Sequence, residues 1–300
     1  MGSTQVGRED AEGRGEEVLG AEGKVDSVVD TDEGDITVHV RDGGLPTVVL
    51  AAGAAMSGQF WKPVVEELSD LRVVYFDRTG LGRTRWDGDL PELAEDARTL
   101  AEIIEAQPGP VILVAHSMAA FHAEACVRAN PDLVSGLVLL DPSVEWPTQE
   151  PPEVAHRLSR KLSAMFTGRM PKLGRAALVA GTWFESHLSV RQADAFLRSS
   201  GLFDAYARRD TLAAALAEPR AYAWQAWDLM AWRREPWPEV PVVVLTAGNA
   251  GQDASENQVR LARLLGGRVQ VVEDSHHLMM LDAPATVARA VRSLVPDALG

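Results

Sequence analysis

Ile36, Val38 and Val40 alternate with polar neighbours in GDITVHVR, residues 34–41, the period of a half-buried strand. From there the pattern changes. PTVVLAAG, LRVVYFD, PVILVAHS, VSGLVLLD, PVVVLTAG and GRVQVV are near-continuous apolar runs, which predict strands covered on both faces. Helical periodicity separates them. The clearest stretch, residues 89–106, sets Leu90, Leu93, Ala97, Leu100 and Ile104 on one face. Asp89 stands there as the expected cap, with Glu92 three residues on. Strand and helix in alternation predict right-handed crossovers and a mostly parallel sheet, preceded by an antiparallel pair.

The alternation stops once, between Asp141 and Pro241. This interval holds no run that reads as a strand, several Ala- and Leu-rich helical stretches, and six of the eight tryptophans: Trp146, Trp183, Trp224, Trp227, Trp232 and Trp237. A structureless loop of that length is improbable in a folded domain, so a helical insertion is expected. Most of these aromatics are expected to pack the insertion onto the body. Tyr222, Trp224 and Trp227 are candidate walls of an apolar, substrate-binding pocket. The chain is therefore divided into residues 24–142 and 239–300 as the core and 143–238 as an inserted helical cap. Residues 1–23, rich in Gly and Glu with hardly an apolar side chain, are expected to be a disordered leader.

Composition narrows the partners. The chain has 300 residues, 46% of them hydrophobic, and a formal charge of -14 with its basic residues scattered. Nucleic acid and anionic membrane surfaces are thereby disfavoured, because phosphate binding depends on clustered Lys and Arg. No apolar run approaches a membrane span, and the start lacks the basic-then-apolar order of a secretory signal. With one cysteine, Cys126, no internal disulfide can form, and a cytoplasmic location is expected. Cys126 itself reads as a small core residue on a helix. The expected partner is a small molecule; the oligomeric state is left open.

Candidate chemistry begins at the end of VILVAHSMAA, residues 111–120, where a buried strand runs into a hydroxyl. In a parallel sheet, the carboxyl ends of central strands are where ligands bind. Ala115-His116-Ser117-Met118-Ala119 resembles the nucleophile elbow, G-x-S-x-G between strand and helix, of the alpha/beta-hydrolase family, with both glycines replaced by alanine. Upstream, VVLAAGAAMSGQFW resembles the family's strand followed by His-Gly, with Ala52-Gly53 in that place. FDRTGLGRTRW resembles its Asp-Arg-x-Gly-x-Gly loop, in which Asp77 and Arg78 are expected to brace the backbone. The resemblance runs from Val25 to Val295 in the family's order. It implies the alpha/beta-hydrolase fold, a mostly parallel central sheet with helices on both faces and a helical cap insertion.

The same resemblance implies the roles. Ser117 would be the nucleophile, and the backbone N–H groups of Ala54 and Met118 the oxyanion hole. The family's base commonly lies seven residues before a proline that opens the last helix. His277 stands seven before Pro284, while His276 occupies the place of a glycine. Two positions suit the acid that orients the base: Asp141, at a strand end in LVLLDPS, and Asp253, in LTAGNAGQDAS. Asp141 is favoured because it needs no adjustment of spacing; Asp253 also suits an N-cap of the helix that follows it. A metal pair at His276 and His277 would lack further ligands at sensible spacing, so neither metal nor cofactor is expected. The function implied is cleavage of an ester, lactone or thioester of a mainly apolar small molecule. A lyase or cyclase using the same pocket, and a non-catalytic small-molecule binding protein, are the alternatives.

Overall fold

The apolar runs all become strands of one sheet. The computed structural model describes residues 18–19, 24–86, 88–152 and 171–295. Its strands are β1 (Val18–Leu19), β2 (Lys24–Thr31), β3 (Gly34–Arg41), β4 (Gly44–Ala51), β5 (Leu71–Phe76), β6 (Val111–His116), β7 (Gly136–Leu140), β8 (Val242–Ala247) and β9 (Arg268–Val272). They lie in the order β1-β2-β3-β5-β4-β6-β7-β8-β9. The β1, β2 and β3 pairings are antiparallel, as is β3 with β5; from β5 through β9 every pairing is parallel. β6 is thus central, with β4 and β7 on its flanks.

Helices cover both faces, and the period-2 geometry of the strands divides the core between them. Val49 and Ala51 of β4 face one layer with Leu100, Ile104, Phe121 and Leu261. Val48 and Leu50 face the other, with Val64, Met280 and Val287. The first layer is built from α2 (Leu93–Glu105) and α3 (Ala119–Ala129), the second from α1 (Lys62–Glu67). Cys126 is buried in α3, and burial pushes its thiol up to about 12.

Between β7 and β8 the described residues form only helices: α4 (Pro171–Phe184), α5 (Val190–Ser199), α6 (Leu202–Ala205) and α7 (Arg209–Trp232). α5 opens with a capping box between Ser189 and Gln192. Trp146 lies under the guanidinium groups of Arg233 and Arg260, and Trp237 donates from Nε1 to the Val240 carbonyl. Trp183, in contrast, is half exposed. After β8 come α8 (Gln252–Leu264), α9 (Met279–Asp282) and α10 (Pro284–Arg292). Among the described residues no helix is long and apolar enough to cross a membrane.

Four expectations need correction. β9 is an edge strand with only Val272 buried, so GRVQVV is not covered on both faces. The helix expected from residue 89 begins at Leu93, because Pro91 disfavours helical backbone at Leu90 and Asp89 does not cap it. Asp253 sits inside the first turn of α8, whose N-cap is Gly251. Val18 and Leu19, expected in a disordered leader, pair with Asp26 and Val25; the rest of that leader, and residues 153–170 of the expected insertion, lie outside the described residues.

Candidate active site

β6 ends at His116, and α3 begins at Ala119. Ser117 makes the turn with φ 53°, a left-handed conformation that costs a non-glycine residue roughly 1–2 kcal/mol. The turn is held from both sides: the Ser117 N–H donates to Leu140 O at 3.0 Å, and the Ser143 N–H donates to Ser117 O at 3.1 Å. Ala115 and Ala119, the two alanines that replace glycine, are wholly buried. The hydroxyl itself is only half-buried.

Ser117 Oγ lies 3.0 Å from His277 Nε2, and His277 Nδ1 lies 2.6 Å from Asp141 Oδ2. A carboxylate can only accept, so Nδ1 carries the proton and Nε2 is left to accept from the serine. Asp141 stands at the end of β7 with φ 36°. Its N–H donates to Leu245 O at 2.7 Å, and its Oδ1 accepts from Gln258 Nε2 at 2.9 Å and from the Ala247 N–H at 3.3 Å. Burial works against the ionised form of Asp141. The hydrogen bonds from His277 and Gln258 outweigh it, and the carboxyl is held below its ordinary range. Asp253 is exposed on α8 and is not joined to His277. His276 faces Asp282 rather than Ser117.

The β4 loop closes the site from the other side. A Cβ on Gly53 would fall 2.7 Å from His116 Nδ1 and 2.9 Å from Ser117 Cβ, so only glycine lets this loop approach the elbow. Ala54 follows it, half-buried, and Met118 is buried beside Ser117. Among the described residues no group accepts from the N–H of Ala54 or Met118.

A buried ion pair fixes that loop. Arg78 Nη2 donates to Gly53 O at 2.8 Å and its Nη1 to Ala52 O, while its Nε meets Glu218 Oε1 at 2.8 Å. The other Glu218 oxygen accepts from the Ala55 N–H, and the Tyr206 hydroxyl donates to Ala55 O. Glu218 belongs to α7 and Tyr206 follows α6, so the inserted helices grip the loop directly. Burial opposes the Arg78 charge, but the Glu218 and Asp96 carboxylates more than offset it. Asp77, also buried, accepts from Ser57 Oγ at 2.6 Å and from the N–H groups of Gly58 and Arg83.

The three candidate pocket walls separate. Tyr222 packs on Phe121, ring centroids 5.2 Å apart, and its hydroxyl donates to Glu145. Trp224, two residues and about 200° further round α7, lines a hollow of about 320 Å³ with Pro91, Glu92 and Asp228, away from Ser117. Trp227 is half-buried on the same helix. Sequence reasoning passed over His116, Gln258, Glu218 and Tyr206. Only His116 carried a local signal, as the variable residue of the elbow.

A profile of the alpha/beta hydrolase family matches residues 48–290. The chain is 31% identical over 113 residues to Lipase LipV of Mycobacterium tuberculosis, an alignment covering 36% of this chain and 43% of that protein. It spans less than half the length of the curated relatives it matches, 43% and 44% of the first two. In three dimensions it is similar to Cfl2 from Burkholderia cenocepacia, with TM-score 0.71, 22% identity, and 94% and 99% of the two chains covered. It is also similar to a thermophilic esterase from Thermogutta terrifontis, with TM-score 0.65, 22% identity, and 89% and 96% covered. With the profile spanning most of its length, the chain belongs to the alpha/beta hydrolase family.

Proposed function

We propose that this protein is a serine hydrolase that cleaves an ester, lactone or thioester of a mainly apolar small molecule. The observation that carries the reading is the continuous relay from Asp141 Oδ2 through His277 to Ser117 Oγ, at 2.6 and 3.0 Å. Lipase and esterase names among its relatives support the same class.

The steps follow from the atoms. Ser117 Oγ attacks the carbonyl carbon as its proton passes to His277 Nε2, and Asp141 stabilises the imidazolium without itself taking the proton. The oxyanion forms within reach of the Ala54 and Met118 N–H groups; each such donor contributes on the order of 3 kcal/mol of barrier lowering. Collapse breaks the bond to the alkoxide or thiolate, which leaves with the proton from Nε2. Water, activated by the same nitrogen, then attacks the acyl-serine, releasing the acid and restoring the Ser117 hydroxyl. The helices between β7 and β8 serve as a cap over this site, and Tyr222 as part of its apolar wall.

Reaction with a fluorophosphonate tests the reading, since only an activated serine is phosphonylated readily. The expected result is one adduct per chain, mapped to Ser117 by mass spectrometry, absent in Ser117→Ala and strongly slowed in His277→Ala. An unlabelled wild-type chain would favour the binding or lyase alternatives.

A further inference from the structure

One carboxylate outside the relay has no cation to match it. The Asp282 side chain, at the end of α9, is 1% exposed, and among the described residues no Lys or Arg pairs with it. Its two oxygens are oriented by backbone amides: Oδ1 accepts from the His187 N–H at 2.7 Å, Oδ2 from the His276 N–H at 2.8 Å. Two neutral hydrogen bonds orient a buried carboxylate but do not balance its charge, and buried charges are generally paired or bound to metal. The side chains of the two donor residues gather at the same place. His276 Nδ1 stands 3.9 Å from Asp282 Oδ2, inaccessible and with no hydrogen-bond partner among the described residues. The His187 ring lies over that of His276, centroids 3.8 Å apart.

We propose that His187, His276 and Asp282 form a site for a borderline divalent transition cation, Zn²⁺ being the natural candidate. One donor atom from each lies within 4.8 Å of the others. Zinc holds imidazole nitrogen and carboxylate oxygen at about 2.0–2.2 Å, which sets tetrahedral donors about 3.4 Å apart, so the His276–Asp282 pair at 3.9 Å has to close by roughly half an ångström and a pair 4.8 Å apart by about 1.4 Å. Asp282 is fixed by its two amides. His187, exposed, is the ligand that closes over the ion. Beside it an open hollow of about 410 Å³, lined also by Trp183, Ser186 and Gln192, leaves space for water as the fourth ligand. Two imidazoles and one carboxylate with one water are a donor set suited to zinc, and to neither magnesium nor calcium, which prefer oxygen. The bound ion would tie the segment after α4 to the loop that carries His277, and would do so whether or not Ser117 is a nucleophile.

The test is calorimetric titration of the chelator-treated full chain with ZnCl₂, alongside thermal unfolding with and without the metal. Expected is uptake of one ion per chain in the micromolar range or tighter, a higher Tm with zinc, and a weakening of at least ~10-fold in His187→Ala and in His276→Gln. His277→Ala should bind as the wild type does, which separates this site from the Ser117 relay. His187 is exposed, so its variant should keep the metal-free Tm of the wild type. Absence of saturable binding at micromolar zinc, or binding that survives both His187→Ala and His276→Gln, would overturn the proposal.

Discussion

The Nε2–H of His116 donates to the backbone carbonyl of His277 across 2.9 Å, so the residue before Ser117 holds the histidine proposed as its base. A carbonyl accepts only, which fixes the proton of His116 on Nε2. Burial, and then the neighbouring His277, push the His116 pKa down to about 3 from 6.5, so the ring is neutral at every working pH. On acidification from 6.5 to about 3 the unfolded chain binds a proton here that the folded chain refuses. Stability should therefore fall through this window, His116 contributing up to about 1.4 kcal/mol per pH unit. Urea unfolding of wild type and His116→Gln across the same window measures it; the variant should show the shallower slope.

Of the two adjacent histidines only His277 reaches Ser117. His277→Ala should lower kcat by on the order of 10⁴. His276→Ala should change kcat by no more than a few-fold in metal-free buffer. Steady-state kinetics with a chromogenic ester compare the two, and a collapse in His276→Ala alone would shift the base to that residue.

The acid can be tested in the same manner. Asp141→Asn should cost roughly 10² to 10⁴ in kcat with little change in KM, because an amide can still hydrogen-bond the imidazole but favours the wrong tautomer. Asp253→Asn, on the exposed first turn of α8, should stay close to wild type. The pH–rate profile adds a check: with Asp141 held below its ordinary range, the acid limb of kcat should not report this carboxylate.

Glu218→Ala leaves the Arg78 guanidinium buried and without its close partner. Removing one member of a buried pair costs about 3–5 kcal/mol, and equilibrium denaturation should find a loss of that order. The same variant frees the Ala55 N–H, so the loop bearing Ala54 loosens and kcat should fall with it. Glu218→Gln keeps one acceptor oxygen for the Arg78 and Ala55 donors and sets an amide NH2 against the other, so it should recover only part of the loss. A stability unchanged in Glu218→Ala would show that the pair carries no net weight.

What was legible in the sequence is what depends on near neighbours. Runs such as VVVLTA and VILVAH declare doubly covered strands because five of the six side chains in each are apolar, and Ser117 declares itself by standing at the end of one. GRVQVV looked the same but lies at an edge, since six residues of mixed character cannot tell a central strand from a peripheral one. The missed residues act across the fold. Glu218 meets Arg78 from 140 positions away, Gln258 meets Asp141 from 117, and Asp282 meets the His187 N–H from 95. No local period records such pairs. Tyr222 and Trp224, taken together as a wall, were separated by ordinary helical geometry.

The grip of Glu218 and Tyr206 on Ala55 bears on how the protein could be rebuilt. An insertion exchanged for that of a relative would bring new walls for the substrate, but it would also remove the carboxylate and phenol that position the backbone beside Gly53. A chimera that keeps Arg78 then inherits an unbalanced cation under the loop that bears Ala54. Position 78 and position 218 therefore have to travel together in any exchange, and the helices between β7 and β8 are not an interchangeable part but half of the site's foundation.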